Sequence, residues 1–300
     1  MSKRVLNLAA AAARLLPDSF KRGLYRVKPL ASLIRKALNR TVPAGLTDVE
    51  VAAGGLEGVT VHLNLKTEKD YWLGTYEPEL QAAVRQLVRP GDVVYDVGAN
   101  IGYVSLLLAR AAQPGGKVFA FEPLPANLSR MQANLALNPA LPVEVVPAAV
   151  VDQSGKTHFW VHSSTSMGKA EGSAGRTDTT YREAIEIDAL ALDDFAYLQQ
   201  HPLPKVIKMD IEGGEVLAFT GMERLLNQAR PTLLVELHGP ESARAAWEAL
   251  SPAGYRLSRM DDLLSVVTSL EELDWKAYMV AIPSEKWKAV KAALQPHADL

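Results

Sequence analysis

Cysteine is absent from the 300 residues. That absence excludes disulfides, zinc–thiolate sites, iron–sulfur clusters and a cysteine nucleophile. No apolar run reaches the roughly 18 residues of a transmembrane helix. The segment from Met1 to Ala13 imitates a signal peptide only in part, because its apolar run is short, contains Asn7 and ends at Arg14. The chain is therefore read as cytoplasmic. A large net charge is missing too: 32 Lys and Arg against 34 Asp and Glu give −2. The chain as a whole is not a polyanion binder.

The charge that is present is unevenly placed. Residues 1–40 hold ten Lys or Arg and one acid, Asp18, for +9; the other 260 hold 22 bases and 33 acids, for −11. Such asymmetry marks an interaction arm. Residues 1–45 read as a basic helical extension, with Leu30, Leu33, Ile34, Ala37 and Leu38 at helical spacing. This arm is expected to pack on the catalytic domain or a partner protomer; peripheral contact with anionic membrane through residues 1–40 is the alternative.

Residues 46–300 read as one α/β domain. Alternating apolar residues on either side of Ala52-Ala53-Gly54-Gly55 predict a β-hairpin over 45–65. From residue 92 strands and helices alternate: strands over 93–97, 117–121, 143–150, 206–210, 232–237 and 278–282, with helices between them. That rhythm predicts a doubly wound, mostly parallel sheet. The Ser/Gly/Thr-rich stretch 163–180 is expected to be a mobile loop that contacts the substrate. Trp72 and Trp160 are expected in the core.

The first strand runs into Asp96-Val97-Gly98-Ala99-Asn100-Ile101-Gly102. A glycine turn at this place lets the backbone approach a nucleotide ligand. The dinucleotide fingerprint would need glycine at Asn100 and Tyr103, so a pyrophosphate is poorly accommodated. The pattern suits a ligand with an adenosine and no phosphate chain, of which S-adenosylmethionine is the common one. Glu122, in Phe121-Glu122-Pro123 at the end of the second strand, can accept both ribose hydroxyls.

These motifs, with Lys208-Met-Asp-Ile-Glu-Gly-Gly-Glu215, Leu234-Val-Glu-Leu-His238, Trp72-Leu-Gly-Thr-Tyr-Glu77 and Leu192-Asp193-Asp194, resemble the FkbM family of S-adenosylmethionine-dependent methyltransferases over about residues 56–240. Gly214 departs from the family's frequent Ala or Phe. The resemblance implies a class I methyltransferase, Rossmann-like fold and O-methylation of a sugar, glycan or natural-product hydroxyl. It implies that Asp96, Gly98, Asn100 and Gly102 hold the methionine end and that Glu122 and Pro123 meet the ribose. Ala149 would flank the adenine, and Glu77 would close over the cofactor.

Chemistry is expected at the carboxyl ends of the fourth and fifth strands. Asp210, Glu212 and His238 are the catalytic candidates; Asp210, which also faces the cofactor, Glu236 and His238 could instead hold a divalent metal. His238 could act as base, its ordinary pKa lying near neutrality. His158 and His162 lie on the intervening strand ahead of the stretch 163–180, with the substrate side as the alternative to a structural or solvated place. A nicotinamide-dependent oxidoreductase or epimerase, and a non-catalytic binding module on the same fold, stay open as alternatives. Nucleic acid is not expected as a partner, since the Asn/Asp-Pro-Pro-aromatic motif of amino methylation is missing. A homo-oligomer is not excluded.

Overall fold

A computed structural model describes residues 45–162, 167–174, 181–273 and 278–294. The helical arm expected over 1–40 lies outside the described residues.

Two strands, β1 (Leu46–Glu50) and β2 (Thr60–Asn64), form the expected hairpin, with Leu46 opposite Asn64. Helices α1 (Lys69–Leu73) and α2 (Pro78–Leu87) follow. The alternating core is then β3 (Val93–Val97), α3 (Tyr103–Ala112), β4 (Lys117–Phe121), α4 (Pro125–Ala136) and β5 (Val143–Val146). Next come β6 (Ala149–Val150), β7 (Gly155–His162), β8 (Gly168–Ala170) and β9 (Tyr181–Leu190). The chain continues through β10 (Val206–Met209), α5 (Glu215–Thr220), β11 (Thr232–Glu236) and α6 (Pro240–Leu250). It ends in β12 (Tyr255–Arg259), β13 (Asp262–Val267), β14 (Tyr278–Pro283) and α7 (Ser284–Leu294).

The main sheet has the order β13-β12-β14-β11-β10-β3-β4-β5. The five strands from β11 to β5 are parallel, and β14 runs against both of its neighbours. The parallel strands are apolar on both faces because helices cover both. Val94, Val118, Val206, Leu234 and Val280 pack toward the hairpin, α2 and α3. Tyr95, Phe119, Ile207, Leu233 and Ala281 pack toward α5 and α6. The alternation of side chains along each strand divides them this way. The architecture is the doubly wound, mostly parallel α/β fold expected, with an antiparallel edge.

Several expectations need correction. The strand read over 143–150 breaks at Pro147: β5 stays in the main sheet and β6 joins another. Proline has no N–H to donate and a fixed φ, so the strand does not run through it. The other sheet, β6-β9-β7-β8, is inserted between β5 and β10 in sequence. Part of the expected loop 163–180 is strand β8, paired to β7 through Phe159 opposite Ala170; residues 163–166 and 175–180 lie outside the described residues. Strands β12 and β13 are not among the strands expected from the sequence. Trp72 is buried as expected, but Trp160 is 40% exposed on the outer face of β7.

Candidate active site

The turn after β3 is built by close approach. Gly98 has φ +80°, and a Cβ there would stand 1.9 Å from the Asp210 carbonyl oxygen. Only glycine admits both that conformation and that contact. Gly102, at φ +81°, starts α3, and its Cβ would meet Met131 Cγ at 2.8 Å. Asn100 sits at φ +50° and donates its backbone N–H to Glu122 Oε2 at 2.9 Å.

Glu122 is 4% exposed at the end of β4. Oε1 accepts from the Leu124 N–H at 2.9 Å and from Asn127 Nδ2 at 3.1 Å. Burial pushes its pKa up, against the pull of these donors and of Lys208. Three of the carboxylate's roughly four lone-pair sites are taken, which leaves one on Oε2, and the group lines a crevice open to solvent. Gly98, Asn100, Pro123, Ala149, Asp210 and Glu212 line the same crevice. Its lid is the second sheet, through Phe159, Met167, Gly168 and Ala170.

Asp96 and Gly102 do not line it. Asp96 is fully buried and accepts the Ser105 hydroxyl at 2.6 Å, with Lys208 Nζ 3.3 Å from Oδ1. Lys208 also donates to the Gly98 carbonyl at 3.0 Å and stands 3.8 Å from Asp210 Oδ2. Burial opposes its charge, but Asp96, Asp210 and Glu77 outweigh that and raise its pKa, so it stays a cation. Lys208 thus ties the glycine turn to the end of β10. Nor does Glu77 line the crevice; it stands at φ +42° before α2, hydrogen-bonded to Tyr76 and facing Lys208, Asp210 and Asp96. Burial pushes its pKa up. Tyr76 stacks on Tyr71 at 4.1 Å, and the Tyr103 hydroxyl donates to the Tyr71 carbonyl at 3.0 Å.

Beside this crevice the ends of β10, β11 and β14 converge. His238 Nε2 lies 3.6 Å from Asp210 Oδ1 and 3.8 Å from both Glu212 Oε2 and Glu236 Oε1. Glu236 and His238 share a face, as strand alternation predicts. Burial alone would depress the His238 pKa; the hydrogen bond to Glu215, with Asp210 and Glu212 nearby, overcomes it and raises it to about 9. Glu236 is pushed up to about 7, first by burial and then by Asp210, with His238 pulling the other way. Tyr278 of β14 hydrogen-bonds Glu236. Ligand atoms of Asp210, Glu236 and His238 lie within 4.8 Å of one another.

His158 is turned away, 3.1 Å from Glu171 on the exposed outer face, while its neighbour Phe159 lines the crevice. Sequence reasoning missed Lys208 as a site residue, although a lysine inside a buried apolar strand is a visible signal. It missed Tyr278 and Phe159, which only strand pairing brings to the site.

Residues 96–257 match the sequence pattern of the methyltransferase FkbM domain. The hexuronic acid methyltransferase AglP of Haloferax volcanii is 28% identical over 166 residues, covering 54% of this chain and 62% of that protein. The 31-O-demethyl-FK506 methyltransferase FkbM of Streptomyces tacrolimicus is 37% identical over 114 residues, 38% of each chain. The chain thus spans less than two thirds of the length of these relatives. A solved structure of methyltransferase FkbM from Methylobacillus flagellatus is 20% identical with a TM-score of 0.42, covering 72% of this chain and 53% of that one.

Proposed function

Because this chain belongs to the FkbM methyltransferase domain family, we propose that it methylates a hydroxyl of a sugar, glycan or small natural product, with S-adenosylmethionine as donor. The observation that carries the reading is the buried Glu122 at the crevice floor, joined to the acidic cluster by Asp210 and Glu212, which line both. The residues present suit that cofactor. Glu122 keeps one acceptor site on Oε2 for a ribose hydroxyl, and Leu124, Ala149 and Phe159 offer apolar walls to an adenine. The carboxylate of Asp210, which lines the crevice, favours a cationic sulfonium or ammonium there. When bound, S-adenosylmethionine supplies an already activated methyl group.

The remaining work is to hold the acceptor in line and take its proton. Against burial, the hydrogen bond to Glu215, with Asp210 and Glu212 nearby, raises the His238 pKa to about 9, which favours its protonated form at neutral pH and makes it a weaker base than the sequence suggests. Glu236, raised to about 7, is the group matched to that task. His238 favours its ionised form and Tyr278 orients it. The hexuronic acid and FK506 specificities of the relatives support a hydroxylated acceptor.

A screen of hydroxylated acceptors with labelled S-adenosylmethionine tests the reading. Label transfer is expected, and it is expected to fall at least 100-fold in Glu236→Gln. Tight nicotinamide binding with no heat from S-adenosylmethionine would reverse it. A second reading rests on Asp210, Glu236 and His238, whose spacing suits one divalent cation, magnesium for the oxygens or manganese for the histidine. Undiminished turnover after dialysis against a chelator rejects that reading.

A further inference from the structure

We infer that Glu215 is a positioning residue for the acceptor side of the site: it fixes the ring of His238 and the turn that carries Asp210 and Glu212. The inference rests on the transfer proposed above, but its contacts stand by themselves. Glu215 is a carboxylate with no exposed surface. A buried carboxylate without partners is costly, so its hydrogen bonds define where it must sit.

Glu215 has three donors from three parts of the chain. Oε1 accepts from His238 Nδ1 at 3.0 Å and from the Ile211 N–H at 3.2 Å. Oε2 accepts the hydroxyl of Ser242 at 2.8 Å, and Ser242 is itself fully buried in α6. These tie together the β10–α5 turn, the exit of β11 and the first turn of α6. An acid that merely complements a helix N-terminus would need none of the last two.

The bond to Nδ1 decides how the ring stands. The carboxylates near Nε2 are 3.6–3.8 Å away, beyond hydrogen-bond reach, so they do not set the ring's orientation. Glu215 does, and it leaves Nε2 facing Asp210, Glu212 and Glu236. The contact to Ile211 acts on the other half of the site. Ile211 lies between Asp210 and Glu212, and Glu212 is held at φ +55°. A left-handed conformation in a residue with a side chain persists only where surrounding contacts hold it.

The test compares the parent chain with Glu215→Gln, which keeps size, and Ser242→Ala, which leaves the Glu215–His238 bond in place. Each protein receives three measurements: S-adenosylmethionine affinity by calorimetry, kcat and KM for an acceptor found by the screen, and NMR of ¹⁵N-labelled histidine. The parent is expected to show a downfield, exchange-protected Nδ1 proton on His238. Glu215→Gln is expected to lose that proton and roughly 100-fold in kcat, with a much smaller change in cofactor affinity. Ser242→Ala is expected to keep the proton and lose less. Retention of the proton in Glu215→Gln, or of the parent's kcat, overturns the inference, as does a loss of kcat that only follows lost cofactor affinity. If the parent binds no S-adenosylmethionine, the methyl-transfer reading fails, and the Nδ1 proton still decides whether Glu215 orients His238.

Discussion

Residue by residue, the crevice and the cluster beside it are a concentration of carboxylates that face Lys208 and His238. Glu122 is the one whose removal should be felt by the cofactor. Glu122→Ala deletes a charged acceptor for a ribose hydroxyl, such a bond being worth about 1.5–3 kcal/mol, and calorimetry is expected to show at least a tenfold weaker S-adenosylmethionine affinity. The titrating pair makes a second expectation. Glu236 is raised from 4.5 to about 7 and His238 from 6.5 to about 9, so both bind protons more tightly in the folded chain. Stability from such groups is present below the unfolded pKa and is lost as pH rises through the folded one. The melting temperature is expected to fall from pH 5 to 9, and the fall to be shallower in His238→Gln. Turnover runs the opposite way, rising through about pH 7 as Glu236 ionises.

At the level of elements, the glycine turn after β3 and the end of β10 are one packed unit. A Cβ at Gly98 would strike backbone, which cannot yield, whereas one at Gly102 would strike Cγ of the Met131 side chain, which has more room to shift than backbone. Gly98→Ala is therefore expected to destabilise by more than Gly102→Ala, the left-handed conformation alone costing about 1–3 kcal/mol in each; urea midpoints check the order. The last helix is clipped differently. Arg230, beyond α5, grips Glu285 of α7 at 2.6 and 2.9 Å, and that bond holds the Glu285 pKa at about 2. Half of the Glu285 side chain is exposed, so Glu285→Ala is expected to cost about 1 kcal/mol or less, read by the same denaturation.

The whole molecule opposes a +9 arm, residues 1–40, to a −11 remainder. No helix among the described residues is long and apolar enough to cross a membrane. Opposite charge within one chain favours docking of the arm on the acidic domain or on a second copy of it, and salt should weaken that attraction. Sedimentation with anionic vesicles, comparing the full chain with one lacking residues 1–28, is expected to show no vesicle binding by either. Binding by the full chain alone would assign the arm to a membrane surface instead.

Local signals in the sequence determined the hairpin, the parallel strands, the glycine turn and the acids at strand ends. Each of these depends on neighbours within a few residues: apolar period, proline at a helix start, or glycine where φ is positive. Pro147 is equally legible as a strand breaker, although it lies inside the apolar run 143–150. The order β14 between β11 and β12, the lid over the crevice and the approach of Tyr278 to Glu236 are contacts between segments far apart in the chain, and no local period encodes them. Tertiary packing also decided the chemistry of His238. In the sequence it is a histidine near neutrality; in the fold, Glu215 and the surrounding carboxylates raise its pKa to about 9. Low dielectric and neighbouring charge set a pKa, and both exist only once the chain has folded.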